Sequence, residues 1–200
     1  MEVRTAGVVS GELKSLGYQV IEKVGKTGVV GILKNGDGPV VMYRADMDCN
    51  SVAETVNLPF ASKKKMKNEQ CKEVPVMHAC GHDAHVTWML GIAKLMSDLK
   101  SKWKGTLVLV GHPAEETGFG AIAMANEMYK KGVPVPNLLL GMHTGPIPVG
   151  TYLNKAGDRT AGAVQMDVTF LIIERILKFL QMHKKRERSF PTLTIILIFG

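Results

Sequence analysis

From residue 82 onward, stretches with helical and strand periodicity alternate along the chain. Apolar residues at spacings of three and four predict an amphipathic helix over residues 82–99. The residues that form its apolar stripe are Trp88, Met89, Ile92, Leu95, Met96 and Leu99. Residues 106–110 predict a central strand, 119–129 a second helix and 138–142 another buried strand. Such alternation is typical of an α/β sheet covered by helices on its faces, where ligands gather at the carboxyl ends of the strands.

The N-terminal part of the chain adds a helix and three further strands to this pattern. Residues 3–16 are weakly helical and end at Gly17. Three short runs rich in Val and Ile follow at residues 18–23, 27–33 and 39–43. Because Gly25, Gly28 and Asn35-Gly36 punctuate these runs, we expect strands joined by a hairpin-type turn. Residues 45–77 are mostly polar or irregular.

Length and composition indicate one globular domain, or one domain plus a fragment. The 200 residues are 46% hydrophobic and 22% charged, which excludes collagen-like, coiled-coil and disordered chains. The longest charge-free run, residues 132–154, contains four prolines and a histidine, which argues against a membrane span. The chain opens with no signal sequence, and its three cysteines are too few for a disulfide framework. We therefore expect a cytoplasmic protein.

The positive charge of the chain is concentrated near its C-terminus. The net charge is +7, and residues 171–200 carry six Lys/Arg against two Glu. Residues 63–67 form a second basic run. No aromatic residues interleave with these charges for base stacking, so solvated surface charge is favoured over a nucleic-acid partner.

Residues 77–85 hold the densest set of potential metal ligands. Within this stretch lie Cys80, three histidines and one carboxylate, and thiolate with imidazole suits zinc and similar metals. Gly81 allows a sharp turn that lets Cys80 and His82 converge. The alternative is a buried cysteine among histidines that face solvent.

Three further motifs follow predicted strands. Glu115 and Glu116 come directly after one strand: one could bind a metal while the other takes a proton from water, or both could be a solvated helix N-terminus. His143 follows another strand, and the carboxylates of residues 44–48 could orient a ligand histidine. These residues alone do not decide which glutamate would be the ligand.

Together these motifs resemble the metal-dependent amidohydrolase family of aminoacylases, hippurate hydrolases, N-acetyldiaminopimelate deacetylases and auxin–amino-acid hydrolases, which are relatives of carboxypeptidase-like zinc peptidases. The resemblance covers residues 1 to about 170. It rests on Arg-Ala-Asp-Met-Asp (44–48), His-Ala-Cys-Gly-His-Asp-Ala-His (78–85), Pro-Ala-Glu-Glu (113–116), Gly-Met-His (141–143) and Pro-Val-Gly-Thr (148–151).

The resemblance implies a role for each matching residue. Cys80, His82, Glu116 and His143 match metal ligands of a site for two divalent ions, zinc or manganese. Glu115 matches the general base and Asp46 an acidic residue with a supporting catalytic role. The implied enzyme hydrolyses the amide bond of N-acyl amino acids, which are small-molecule substrates. The alternative is an inactive metal-binding or partner-binding remnant of such an enzyme.

The resemblance also implies a domain organisation. Residues 1–164 would be a partial catalytic domain with a zinc-peptidase-like mixed sheet flanked by helices, and residues 165–170 the start of a lid strand. Residues 171–200 match nothing in the family and are interpreted as an unrelated or misjoined tail. The expected first helix, most of the lid domain and a last histidine ligand have no counterpart here. A homodimer would depend on that lid.

Overall fold

The computed structural model describes residues 2–68 and 71–154, together with the backbone of residues 162–169 and 192–199. It divides into two compact units, Met1–Pro146 and Ile147–Gly200. The helices are α1 (Val3–Ser15), α2 (His82–Asp98) and α3 (Gly120–Met128). The strands are β1 (Gln19–Val24), β2 (Gly28–Asn35), β3 (Val40–Asp46), β4 (Lys65–Lys67), β5 (Glu73–Pro75), β6 (Gly105–His112), β7 (Leu138–Gly141), β8 (Gly162–Thr169) and β9 (Thr192–Phe199).

A five-stranded mixed sheet organises the first unit, in the order β1-β2-β6-β3-β7. Strands β1, β2 and β6 pair antiparallel, whereas β3 lies parallel to both β6 and β7. Strand β6 is central, as its uninterrupted apolar run predicted. Strands β3, β6 and β7 are parallel, so their carboxyl ends lie on the same side of the sheet. Asp46, His112 and Gly141 are the last residues of these strands.

Two apolar cores cover the faces of this sheet. Helices α1 and α2 bury Leu13 and Met89 against one face, where they pack with Leu109 of β6. Helix α3 buries Met124 against the opposite face, beside Val108. The predicted α/β class, a mixed sheet flanked by helices, is thus confirmed.

The predicted hairpin-type turn is confirmed between β1 and β2, which pair antiparallel with Val24 opposite Gly28, but the turn at Asn35-Gly36 is not a hairpin. Strand β6 lies between β2 and β3, so the strands on either side of this turn do not pair with each other. The connection crosses the start of β6 through two glycines with positive φ, Gly38 and Gly105. A Cβ on Gly105 would lie 2.4 Å from the carbonyl oxygen of Pro39, so only glycine allows this close crossing.

Two predictions of burial are also corrected. Strand β7 is at the edge of the sheet, and its residues Leu138, Leu139 and Leu140 are about half exposed rather than buried. On α2, Leu95 and Leu99 of the predicted stripe are exposed. The buried face of that helix consists of His82, His85, Val86, Met89 and Ala93. The stripe is therefore shifted, and two histidines lie at its N-terminal end.

In the second unit, β8 and β9 form a two-stranded antiparallel sheet with Gly162 opposite Phe199. The lid strand predicted at residues 165–170 overlaps β8, and Phe170 lies outside the described residues, as do residues 171–191 of the predicted tail. Over the described parts of the chain, no helix is long and apolar enough to cross a membrane.

Candidate metal centre

Helix α2 begins with His82, a fully buried residue whose two ring nitrogens have different surroundings. Its Nδ1 lies 3.0 Å from the main-chain oxygen of Asp48 and 3.1 Å from the Oδ1 of the same residue. Both partners are acceptors, so Nδ1 carries the proton and Nε2 keeps a free lone pair. Nε2 is buried without a hydrogen-bond partner among the described residues. A buried lone pair of this kind suits a bound cation.

The cluster around this lone pair contains sulfur, nitrogen and oxygen donors. Ligand atoms of Cys80, His82 and Glu116 all lie within 4.8 Å of one another. His82 Nε2 is 3.7 Å from Glu116 Oε1 and 3.9 Å from Glu115 Oε2. Zinc binds thiolate, imidazole and carboxylate ligands, and manganese binds imidazole and carboxylate ligands. The residues present therefore fit a divalent metal ion.

Negative charge dominates the surroundings of the Cys80 thiol. A hydrogen bond with the Glu116 carboxyl group, burial, and the charges of Glu116, Glu115 and Asp48 raise the pKa of Cys80 to about 11. Each of these influences disfavours a thiolate as long as no cation offsets the carboxylates. A divalent cation between them would favour the thiolate, which is the form that binds metals.

Asp48 connects the segments that carry these donors. Its Oδ1 accepts the hydrogen bond from His82, and its Oδ2 accepts one from the backbone N–H of Glu116 at 3.0 Å. The hypothesis that a carboxylate of residues 44–48 orients a ligand histidine agrees with this contact. Ala114, with a φ of 50°, forms a left-handed turn just before Glu115, so both glutamates follow an unusual backbone geometry.

A second donor cluster shares His82 with the first. Ligand atoms of Asp46, His82, His85 and His143 lie within 4.8 Å of one another. The rings of His85 and His143 have centroids 4.4 Å apart, and those of His82 and His143 are 5.8 Å apart. His143 is exposed, and its Nδ1 donates to the main-chain oxygen of Thr144 at 2.7 Å, so its Nε2 carries a lone pair without a hydrogen-bond partner in the described part of the chain.

Asp46, at the end of β3, is held as an anion. Burial by itself would raise the pKa of its carboxyl group, but the hydrogen bond from His112 and the charges of Arg44 and His112 lower the pKa below its usual value. The His112 Nδ1 is 2.9 Å from Asp46 Oδ1, and the Arg44 guanidinium pairs with the same oxygen. The other carboxylate oxygen of Asp46, Oδ2, lies 3.4 Å from the Nδ1 of His85.

All six site residues predicted from the sequence lie near the carboxyl ends of the parallel strands. The four predicted metal ligands do not form a single cluster. Cys80 and Glu116 belong to the first cluster, Asp46 and His143 belong to the second, and His82 joins the two. Glu115 lies beside the first cluster.

Two residues that contact these clusters have no role assigned from the sequence. His85 is one of the three potential ligand histidines of residues 77–85, and its position one turn after His82 on the buried face of α2 is a signal that could have indicated its role. Thr144 has no such signal, because its contacts depend on where β7 ends relative to α2.

Comparison with known proteins agrees with this geometry. Residues 42–183 match the model of peptidase family M20/M25/M40. A hippurate hydrolase of Campylobacter jejuni is 44% identical over 127 residues, which cover 63% of this chain and 30% of that protein. An IAA-amino acid hydrolase of Arabidopsis thaliana (ILR1-like 4) is 37% identical over 163 residues, 81% of this chain and 34% of that protein.

Among solved structures, a dinuclear metal binding peptidase of the M20 family from Bacillus subtilis superposes with a TM-score of 0.71 and 34% identity. The match covers 84% of this chain and 44% of that one. The chain spans about a third of the length of the two curated relatives described above. These matches confirm the resemblance that the motifs indicated. The chain belongs to the M20/M25/M40 peptidase family, a family of hydrolases.

Proposed function

We propose that this chain carries the metal-dependent catalytic site of an amidohydrolase that acts on N-acyl amino acids. The observation that carries the proposal is the buried Nε2 of His82, which has no hydrogen-bond partner among the described residues and faces the adjacent carboxylates Glu115 and Glu116. Adjacent carboxylates beside a buried lone pair gain nothing structurally unless a cation lies between them. The two hydrolases named above act on amide conjugates of amino acids, which supports this substrate class.

In this proposal Cys80, His82, Glu116 and His143 hold two divalent ions, zinc or manganese, with Asp46 in a supporting role beside the second cluster. Bound there, the cations would polarise the scissile carbonyl and make water more acidic. The free cysteines of the chain agree with a reducing compartment, so we propose a cytoplasmic location.

The residues of the chain would then handle the proton. Glu116 is held by Asp48 through its backbone N–H, and its carboxylate lies within 4.8 Å of the Cys80 and His82 donors. The Glu115 carboxylate is a third exposed and makes no such contact among the described residues, so it is free to move towards water. Glu115 takes a proton from the attacking water and passes it to the leaving amine nitrogen. The anionic state of Asp46 supports an orienting role towards the histidines around it.

Metal binding is the first test of this function. The apo protein should bind Zn²⁺ or Mn²⁺, and the Cys80→Ala, His82→Ala double variant should retain only background metal by elemental analysis, because it loses the two donors at the centre of the first cluster. The variant Cys71→Ala removes an exposed cysteine and should bind metal as the parent does.

Equal metal content in the parent and the double variant would contradict the proposed site. If the parent binds metal but releases no amino acid from hippurate or from N-acetyl amino acids, the inactive remnant becomes the better description.

A further inference from the structure

Thr144 follows His143 at the end of β7 and makes three polar contacts with three different parts of the candidate site. Its backbone N–H donates to the Nε2 of His85 at 3.0 Å. Its side-chain hydroxyl donates to the main-chain oxygen of Cys80 at 2.7 Å. Its own main-chain oxygen accepts the Nδ1 proton of His143 at 2.7 Å. One residue thereby joins the segment of His143 to the segment of Cys80 and to helix α2.

The contact with His85 determines what that histidine can do. Because its Nε2 accepts the Thr144 N–H, the proton of the neutral ring is on Nδ1, which faces Asp46 Oδ2 at 3.4 Å. His85 therefore has no free lone pair, although it lies among the donors of the second cluster. His143 is in the opposite situation, because its Nδ1 donates to Thr144 and its Nε2 lone pair has no hydrogen-bond partner among the residues that the structure describes.

The side chain of Thr144 also packs against the turn before α2. Gly81 has a φ of 75°, and a Cβ at this position would lie 2.6 Å from the Thr144 hydroxyl oxygen and 2.9 Å from its methyl carbon. Cys80 and His82 flank this glycine, so the position of Thr144 limits how the turn can move. The hydroxyl contact with Cys80 fixes the carbonyl on the other side of the same turn.

We propose that Thr144 is a positioning residue of the metal centre, which sets the placement of His143 relative to Cys80 and His82, and that His85 is its hydrogen-bond acceptor rather than a metal ligand. This inference rests on the metal site proposed above. Contacts of this kind, which orient the ligands without touching the metal, typically contribute about 10- to 100-fold to metal affinity.

Cobalt binding tests the inference, because Co²⁺ reports both affinity and ligand geometry through its visible absorption and its thiolate charge-transfer band. Thr144→Val keeps the shape of the side chain but removes the hydroxyl, and we expect Co²⁺ affinity to fall by about 10-fold or more with altered visible bands. Thr144→Ser keeps the hydroxyl and should recover most of the affinity and the parental spectrum. The matched control is Thr87→Val, which removes a hydroxyl that donates to the Asp83 carbonyl on the exposed face of α2.

His85→Gln tests the role of His85, since the amide oxygen of glutamine can accept the Thr144 N–H. It should keep the parental number of bound Co²⁺ ions; loss of one ion would identify His85 as a ligand and overturn that part of the inference.

The outcomes separate this inference from the proposed function. If the parent protein binds no Co²⁺, the metal site itself fails. If the parent binds Co²⁺ and Thr144→Val binds it with the same affinity and spectrum, only the role of Thr144 is wrong. Equal weakening by Thr144→Val and Thr144→Ser, together with equal loss of thermal stability, would reduce Thr144 to a packing residue and would also overturn the inference.

Discussion

Glu115 and Glu116 are neighbours in sequence, yet their carboxyl groups have different surroundings. Glu116 is anchored through its backbone N–H by Asp48, and its carboxylate belongs to the donor cluster with Cys80 and His82. Glu115 lies outside that cluster, with its carboxylate 3.9 Å from the His82 Nε2. A metal ligand must be held in place, while a general base must be able to reach water and the leaving group. The geometry thus supports a choice between the two glutamates that their order in the sequence left open.

This difference predicts opposite effects for two equivalent substitutions. Glu116→Gln should lower metal content, because the amide is a weaker ligand than the carboxylate. Glu115→Gln should leave metal content unchanged and slow metal-dependent hydrolysis of N-acyl amino acids by about 10²- to 10⁴-fold. Elemental analysis and an assay for released amino acid measure the two effects on the same samples, so each variant serves as the control for the other. Metal loss in Glu115→Gln alone would reverse the assignment.

At the level of residues, the donors of the site could be predicted from the sequence because they are concentrated in short motifs. Cys80 and His82 are one residue apart, and Glu116 follows a strand whose apolar run is unambiguous. Thr144 could not be predicted, because its partners Cys80 and His85 lie about sixty residues away in the chain. The parallel pairing of β3 with β7, together with the packing of α2 against β3, brings them together.

At the level of elements, the glycine that begins α2 is under two constraints. Gly81 is the N-cap of the helix in a left-handed conformation, and its Cα faces the Thr144 side chain. An L-residue in this conformation costs about 1–2 kcal/mol before any steric clash is considered. The turn that allows Cys80 and His82 to converge therefore requires glycine, as the sequence predicted.

Gly81→Ala should destabilise the protein by about 1–2 kcal/mol or more, because the backbone strain is joined by displacement of Thr144. The matched control lies in the same helix: Gly91 has no atom within 4 Å of an added Cβ, so Gly91→Ala should stabilise the helix by about 0.5–1 kcal/mol. Urea unfolding measures both changes. A Gly81→Ala variant as stable as the parent would show that the turn tolerates a side chain.

Elements with a strong periodic pattern were predicted within a few residues of their observed ends, and elements without one were missed. Strands β4 and β5 are three residues long and largely polar, so no alternation marks them. The apolar run at β7 predicts a strand that is buried on both faces. The strand is at the edge of the sheet, however, and its leucines are about half exposed. Asn35-Gly36 does form a turn, but local turn signals do not reveal that β6 inserts between β2 and β3, so no hairpin forms there.

At the scale of the whole first unit, the candidate metal centre lies where one core layer meets the carboxyl ends of the parallel strands. Helix α2 contributes His82 and His85 to the site, and the same buried face continues with Met89 and Ala93 into the core shared with α1. The position of this helix therefore couples the geometry of the site to the packing of the core. Tyr18, which follows α1, is a fixed point in this arrangement because its hydroxyl donates to the Ala93 carbonyl at 3.0 Å.

The burial of Tyr18 predicts how the stability of the protein depends on alkaline pH. Tyr18 is 5% exposed, and burial raises its pKa from 10.0 to about 12. Above pH 10 the unfolded chain releases this proton while the folded chain retains it, so the contribution of Tyr18 is complete below pH 10 and is lost as pH rises towards 12. A shift of this size corresponds to about 2–3 kcal/mol of unfolding free energy at most.

We therefore expect the free energy of unfolding to fall more steeply above pH 10 in the parent than in Tyr18→Phe, as measured by urea titrations at several pH values. Tyr129→Phe removes a tyrosine that is 41% exposed and should keep the steep dependence. The same slope in the parent and in Tyr18→Phe would mean that the Tyr18 hydroxyl ionises as readily in the folded protein as in the unfolded chain.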